Sequence, residues 1–310
     1  MSTRAGAGLA LSGGLAIDAT VAVDLLAHAA DLGFDPVLVT EVNGRSALAL
    51  SAALAARRPG VRLGTGIVPL GSRSEAALAM GATTVAQLAG APFLLGVGTS
   101  SPQIVEGWHG QPYDASVATT RERLRRLRAV LDGERHGSFA LARPRSDQVS
   151  VLLAGLGPRM VDLAFDATAG VIVNLTPPEA LPAPRDGKLL LAYVWVLASA
   201  DAEQRARREL VSYLVAAPYA RHLTRLGFGE VVQRVAGLHA AGRLREAPAL
   251  LPRELVELVY VTRDGLAGRL AAYRRAGAHP VVVPVTGEAA AEGVAERLAG
   301  PALRAPARPA

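Results

Sequence analysis

Eight short apolar runs punctuate the chain, at residues 9–12, 37–40, 61–65, 93–97, 151–154, 171–174, 189–197 and 281–285, most of them closing on small or polar residues. Between most of them lie longer stretches with apolar residues at helical spacing, at 20–31, 47–55, 75–88, 116–131, 159–167, 202–216 and 267–276. Continuous apolar runs are strands buried on both faces, and parallel pairing of such strands requires a crossover helix between them. The rhythm predicts an α/β protein, a (β/α)8 TIM barrel in preference to an open doubly wound sheet. Its working groups should then sit beyond the strand C-termini.

Two regions depart from that rhythm. Residues 175–188 are proline-rich and leave room for a token helix only, so one crossover is shortened. Residues 218–251 are additional, helical in pattern, and suited to a lid or a wall of the site. Residues 1–8 and 300–310 lack a periodic apolar pattern and are expected to be flexible, leaving one barrel domain over 9–299.

Composition narrows the chemistry. Half of the 310 residues are hydrophobic and 19% are charged, which suits one large core. No apolar run approaches the roughly 18 residues of a membrane span, and no signal peptide is evident, so a soluble cytoplasmic protein is expected. Cysteine is absent, which removes disulfides, thiolate metal sites and a cysteine nucleophile. Redox chemistry would therefore need a bound organic cofactor. The net charge of +6 comes from scattered arginines, with Lys188 the single lysine, and shows no clustering of the kind a nucleic-acid track requires.

Candidate chemistry gathers at the strand ends. Glu41 follows the second run and is placed to hold a ligand, to move a proton, or to pair with Arg45. Gly66 within Thr65-Gly66-Ile67-Val68 permits a bulge. Gly96-Val97-Gly98-Thr99-Ser100-Ser101 and Gly155-Leu156-Gly157-Pro158-Arg159 are glycine-rich turns whose amides can receive an anion, although neither completes a dinucleotide fingerprint. The segment Glu106-Gly107-Trp108-His109-Gly110 offers rings to flank a planar cofactor, or else packs over the barrel rim. The other histidines lack metal-ligand spacing, so no metal is expected, and Ser100 and Ser101 lack the partners of a hydrolase triad.

Several of these segments, namely Thr40 to Ala47, Leu63 to Pro69, Leu95 to Pro102, Val105 to Gly110 with Pro112-Tyr113, and Ala154 to Met160, resemble the bacterial-luciferase-like superfamily. Pro218-Tyr219, Leu226-Gly227 and the segment from Tyr273 to Val281 add to the likeness. The branch most similar is that of coenzyme F420-dependent oxidoreductases akin to methylenetetrahydromethanopterin reductase. The resemblance implies a homodimeric barrel with coenzyme F420 at its C-terminal mouth and a non-proline cis peptide at Gly66–Ile67. It further implies cofactor contacts from Asn43, Thr65, Gly66, Ile67, Gly98, Thr99 and Ser100. Ala154, Gly155, Leu156 and Gly157 would lie by the phosphate, and Asn174 at the end of the sixth strand. Glu41 and His109 are the candidate catalytic groups.

The chain also departs from that pattern. Sugar-phosphate dehydrogenases of the superfamily place an acid–base histidine and glutamate where Val42 and Ser101 stand. Ser46, Ala91-Pro92 and the segment from Val261 to Asp264 depart as well. The leading expectation is a reductase of secondary metabolism that transfers hydride from reduced F420 to a C=C or C=N bond of a small molecule or modified peptide. Alternatives are an FMN-dependent luciferase-like monooxygenase and a cofactor-binding homologue without turnover. A Glu41→Gln change is expected to leave folding intact and to lower turnover or substrate affinity.

Overall fold

The computed structural model describes residues 6–13, 15–144, 146–287, 291 and 293–303. All eight apolar runs form parallel strands: β1 (Gly8–Leu11), β2 (Val37–Val39), β3 (Leu63–Pro69), β4 (Phe93–Gly98), β5 (Val149–Ala154), β6 (Gly170–Val173), β7 (Leu189–Leu197) and a last barrel strand, β9 (His279–Val285). They hydrogen-bond in the order β6-β5-β4-β3-β2-β1-β9-β7, and a β6–β7 pairing closes the cylinder. A short strand, β8 (Tyr260–Thr262), takes up the C-terminal half of β7, pairing Trp195 with Tyr260 after β6 has ended.

Alternation along each strand divides the core in two. Leu9 and Leu11, Val37 and Val39, and Phe93, Leu95 and Val97 point outward into a layer shared with the flanking helices. Ala10, Leu38, Leu94, Leu152, Ile172, Leu191, Tyr193 and Val281 point inward and fill the barrel lumen. The same inner cluster continues into the helices that follow β7.

The outer helices are α1 (Ala19–Asp31), α2 (Ala47–Arg57), α3 (Glu75–Ala89), α4 (Val117–Leu131) and α5 (Pro158–Ala167). Their ends follow from local chemistry. Ser74 Oγ accepts from Ala77 N at 3.2 Å to start α3, and Ser116 Oγ accepts from Thr119 N at 3.1 Å to start α4. Pro158 opens α5, where its missing N–H costs no helical hydrogen bond.

The proline-rich crossover holds one 3-10 turn, Pro178–Ala180. After β7 the chain builds the additional helical layer: α6 (Ala202–Val215), α7 (Ala217–Leu223), α8 (Gly229–Ala240), a 3-10 stretch Leu244–Leu250 and α9 (Arg253–Val259). The first three of these helices and the 3-10 stretch pack on one another. Then α10 (Leu266–Arg275) leads into β9, and α11 (Val294–Leu303) follows it.

The sequence pattern missed β8, α9 and α11, and placed both chain ends differently. Gly8 already belongs to β1, and residues 300–303 complete α11 rather than beginning a tail. Residues 1–5 and 304–310 lie outside the described residues. Among the described residues, no helix is long and apolar enough to cross a membrane.

Candidate active site

The C-terminal ends of the barrel strands and the helical layer enclose a cavity of about 1470 Å³. Its floor includes a bulge in β3, where the register with β4 shifts between Thr65 and Val68 and the Gly66–Ile67 peptide is cis. Tyr193 Oη, rising from the barrel interior, donates to Gly66 O at 2.5 Å. A Cβ on Gly66 would lie 1.8 Å from that hydroxyl, so only glycine lets the two meet. Gly66 and Ile67 both face the cavity. Thr65 does not: its side chain is fully buried and donates to Gly96 O at 2.8 Å, tying β3 to β4 behind the site. Its expected cofactor contact is corrected accordingly.

Glu41 lines the cavity, but its carboxylate is committed elsewhere. Arg73 Nη1 and Nη2 donate to its two oxygens at 2.5 and 3.0 Å, and Ala47 N donates to Oε2 at 2.8 Å. The flanking residue Ser46 makes no side-chain cap on α2, so Glu41 satisfies the amide at that helix start in its place. With three charge-assisted donors and a side chain only 8% exposed, Glu41 positions a helix and a loop rather than delivering a proton.

The partner is Arg73, not Arg45. Arg45 instead donates to Leu15 O at 2.7 Å, Ile17 O at 2.8 Å and Ser12 O at 3.2 Å, clamping the loop after β1. Asn43 borders a neighbouring hollow that shares Leu15 and Ala16 with the main cavity, and is not itself on the main cavity's wall. His109 lies exposed at the end of a π-helical turn, Gln103–Trp108, and does not line the cavity either. Of that segment only Trp108 and the residues before Val105 reach the cavity wall. Neither Asn43, expected to contact the cofactor, nor His109, expected to be catalytic, is therefore on the main cavity's wall.

The remaining predicted residues come together. Gly98 ends β4 with Thr99 and Ser100 after it, Ala154 ends β5 with Gly155 to Gly157 after it, and Asn174 follows β6, all bordering the same space. Ser100 adopts a φ of 60°, and its carbonyl accepts from Tyr113 Oη at 3.2 Å. Asn174 is a hub: its Oδ1 accepts from Trp195 Nε1 at 2.7 Å and its Nδ2 donates to Tyr219 Oη at 3.1 Å. Tyr213 stands 4.6 Å from the Tyr219 ring and 6.3 Å from Trp195, edge to face with the latter. Burial pushes the Tyr213 and Tyr219 phenols above their usual range, so they stay neutral.

Sequence reasoning missed this aromatic wall and the charged groups beside it. Tyr193 and Trp195 are two apart on one strand, a spacing that puts both rings on the lumen side and could have announced them. Arg159, Arg221 and Arg225 line the cavity alongside the Gly155–Gly157 turn, and Arg225 donates to Leu156 O at 3.0 Å. Glu209 on α6 completes the lining, and burial pushes its carboxyl up to about 7.

A family model described as "Luciferase-like monooxygenase" matches residues 1–280. The chain belongs to that family. Among luciferase-like relatives, a Mycobacterium tuberculosis protein named "Putative coenzyme F420-dependent oxidoreductase Rv3520c" is 27% identical, covering 84% of this chain and 89% of that one. A 5,10-methylenetetrahydromethanopterin reductase of Methanolobus tindarius is also 27% identical, over 50% of this chain and 51% of its own. In fold, the chain resembles a coenzyme F420-dependent tetrahydromethanopterin reductase from Methanopyrus kandleri, with a TM-score of 0.75 at 19% identity, covering 96% of this chain and 99% of that one.

Proposed function

We propose that this luciferase-like chain is a coenzyme F420-dependent oxidoreductase that reduces a C=C or C=N bond in a specialised metabolite or modified peptide. The carrying observation is the pairing of a glycine-lined turn with three guanidiniums, Arg159, Arg221 and Arg225, along one cavity wall. Coenzyme F420 ends in a phosphodiester followed by several carboxylates, an extended polyanion that a single helix N-terminus cannot neutralise. The Gly157 amide suits the phosphate, the Gly155 amide being spent on Ile172 O at 3.1 Å, and the arginines suit the carboxylates beyond it.

The other end of the cavity fits a planar ring. Gly66 and Ile67 would back it, with Thr99 and Ser100 at its edge and Asn174 within reach of its polar rim. When bound in its reduced form, the deazaflavin supplies hydride, a two-electron donation. The chain contributes position and exclusion of water: hydride transfer needs donor and acceptor carbons about 3–3.5 Å apart in a dry site. The wall of Trp195, Tyr213 and Tyr219, whose rings are tilted 57–66° to one another, offers an apolar aromatic corner to an unsaturated acceptor. The relatives named for F420 support the same cofactor.

A homodimer is part of the reading. The outward sides of α2 and α3 expose Ala49, Ala53, Met80, Thr84 and Leu88, with Arg57 at the end of α2 beside Asp24, a mostly apolar surface of the kind a second copy would cover. The test of the function is a titration of the cofactor-free protein with F420 and, separately, with FMN, followed by their absorbance and fluorescence. Saturable binding of F420 in preference to FMN, and oxidation of reduced F420 by an unsaturated acceptor, are expected. Preference for FMN would replace this reading with a flavin monooxygenase.

A further inference from the structure

The cavity is bordered by two carboxyl groups among the described residues, Glu41 and Glu209, and Glu41 is consumed by Arg73 and the start of α2. Glu209 is in the opposite condition. It lies on α6, one helical turn before Tyr213, and its carboxyl makes no hydrogen bond or ion pair with any described residue. It is half-buried on the cavity wall, so its proton is open to a molecule in the cavity and no protein group competes for it.

We propose that Glu209 is the general acid of this site, giving its proton to the acceptor as hydride arrives from the reduced deazaflavin. This rests on the F420 reading above. Hydride forms a C–H bond at one carbon of a polarised C=C, and the displaced π pair takes the Glu209 proton at the neighbouring carbon. The acceptor gains two electrons and two hydrogens, and the deazaflavin is oxidised by two electrons. Between turnovers Glu209, left as carboxylate, regains a proton from solvent, and the oxidised deazaflavin releases its ring N–H proton to solvent, which closes the balance.

The surroundings keep that proton on the carboxyl until it is needed. Tyr213 on the same helix and Tyr260 on β8 are its close ionisable neighbours, and both are neutral phenols. Tyr219 on α7 and His239 on α8 border the same cavity. Arg205, one turn earlier, is held by Asp201 at 2.5 Å, Arg221 lies across on α7, and Glu246 of the 3-10 stretch is paired with Arg243. No cation is close enough to favour the carboxylate, and burial is the sole cause that raises the group to about 7. A general acid performs best when its affinity for the proton matches the working pH.

The variants Glu209→Gln and Glu209→Asp test this. In ligand-free protein, infrared difference spectra between pH 5 and 9 should show a protonated carboxyl band that titrates near neutrality and is missing from Glu209→Gln. F420 affinity should be unchanged within about twofold in both variants, because Glu209 is not among the groups assigned above to the cofactor. With reduced F420 and 2-cyclohexen-1-one as the probe acceptor, Glu209→Gln should lose about 10²–10⁴ in turnover and Glu209→Asp should recover part of it. The wild-type rate should fall as pH rises past 7, a limb absent from the Gln variant. A carboxyl that titrates at 4–5, or a Gln variant with wild-type turnover while F420 binds normally, overturns the assignment of Glu209 alone. Failure of the wild type to bind F420 overturns the cofactor reading as well.

Discussion

Glu209→Gln should raise the stability of this protein, and by an amount that depends on pH. The folded carboxyl titrates near 7 and the unfolded one at its ordinary 4.5, so at pH values above 4.5 the unfolded chain sheds a proton that the folded chain retains. Stability therefore declines between pH 4.5 and 7 and levels off above it. A gap of about 2.5 units corresponds to about 3 kcal/mol at pH 8, an upper bound because water entering the cavity solvates the carboxylate. Glutamine has the same shape without the charge. At pH 4.5 the two proteins should unfold within about 0.5 kcal/mol of each other, since protonated glutamate and glutamine are both neutral. At pH 8 the variant should gain up to about 3 kcal/mol. For a chain of 310 residues, with an unfolding entropy of about 2 cal/mol/K per residue, that is a rise in Tm of about 4–5 °C. Differential scanning calorimetry of both proteins at half-unit pH steps measures it, and taking the difference cancels every other titrating group. A difference that is flat across pH would refute the reasoning, as would a variant less stable at pH 8.

Three further outcomes follow from the geometry. Glu41→Gln should cost about 2–4 kcal/mol in urea unfolding, because it leaves Arg73 without its carboxylate; Arg73→Met in the same chain should recover part of the loss. Gly66→Ala should destabilise by at least about 2 kcal/mol and weaken cofactor binding, since the new methyl collides with Tyr193 Oη, and crystallography of the variant should show that hydroxyl displaced. Asn174→Leu strips Trp195 Nε1 and Tyr219 Oη of a shared partner and should cost about 1–3 kcal/mol per orphaned group, read by chemical denaturation and by the tryptophan emission.

The barrel was legible because parallel strands buried on both faces leave long apolar runs, and because glycine and serine mark where helices end and begin, as at Gly33, Ser74 and Ser116. Short elements such as β8 gave no such signal: three residues cannot establish a period, and Tyr260–Thr262 is fixed by β7 beside it. The glycine turns after β4 and β5 were readable for the same local reason as the strands. Partnerships were not. Glu41 and Arg73 stand 32 residues apart, whereas Arg45 is only four away, and proximity in sequence suggested the wrong ion pair. Glu209 follows Arg205, Arg207 and Arg208 in a segment that looks like a solvated helix face, so only the packing of α6 against the barrel mouth reveals that its carboxyl turns inward. His109 misled in the opposite sense, since a loop rich in glycine next to a tryptophan reads as a site, and the backbone turns the imidazole outward.

On the proposed function, the cavity holds a planar two-electron carrier whose long anionic tail is gripped by the Gly155–Gly157 turn and Arg159, Arg221 and Arg225. Calorimetric titration of the protein with F420 and with its chromophore lacking the phosphate and carboxylate tail tests this most directly. Intact F420 should bind at least about 100-fold more tightly, with an advantage that shrinks as salt is added. Equal affinity for the two molecules, or no heat with either, would contradict the account.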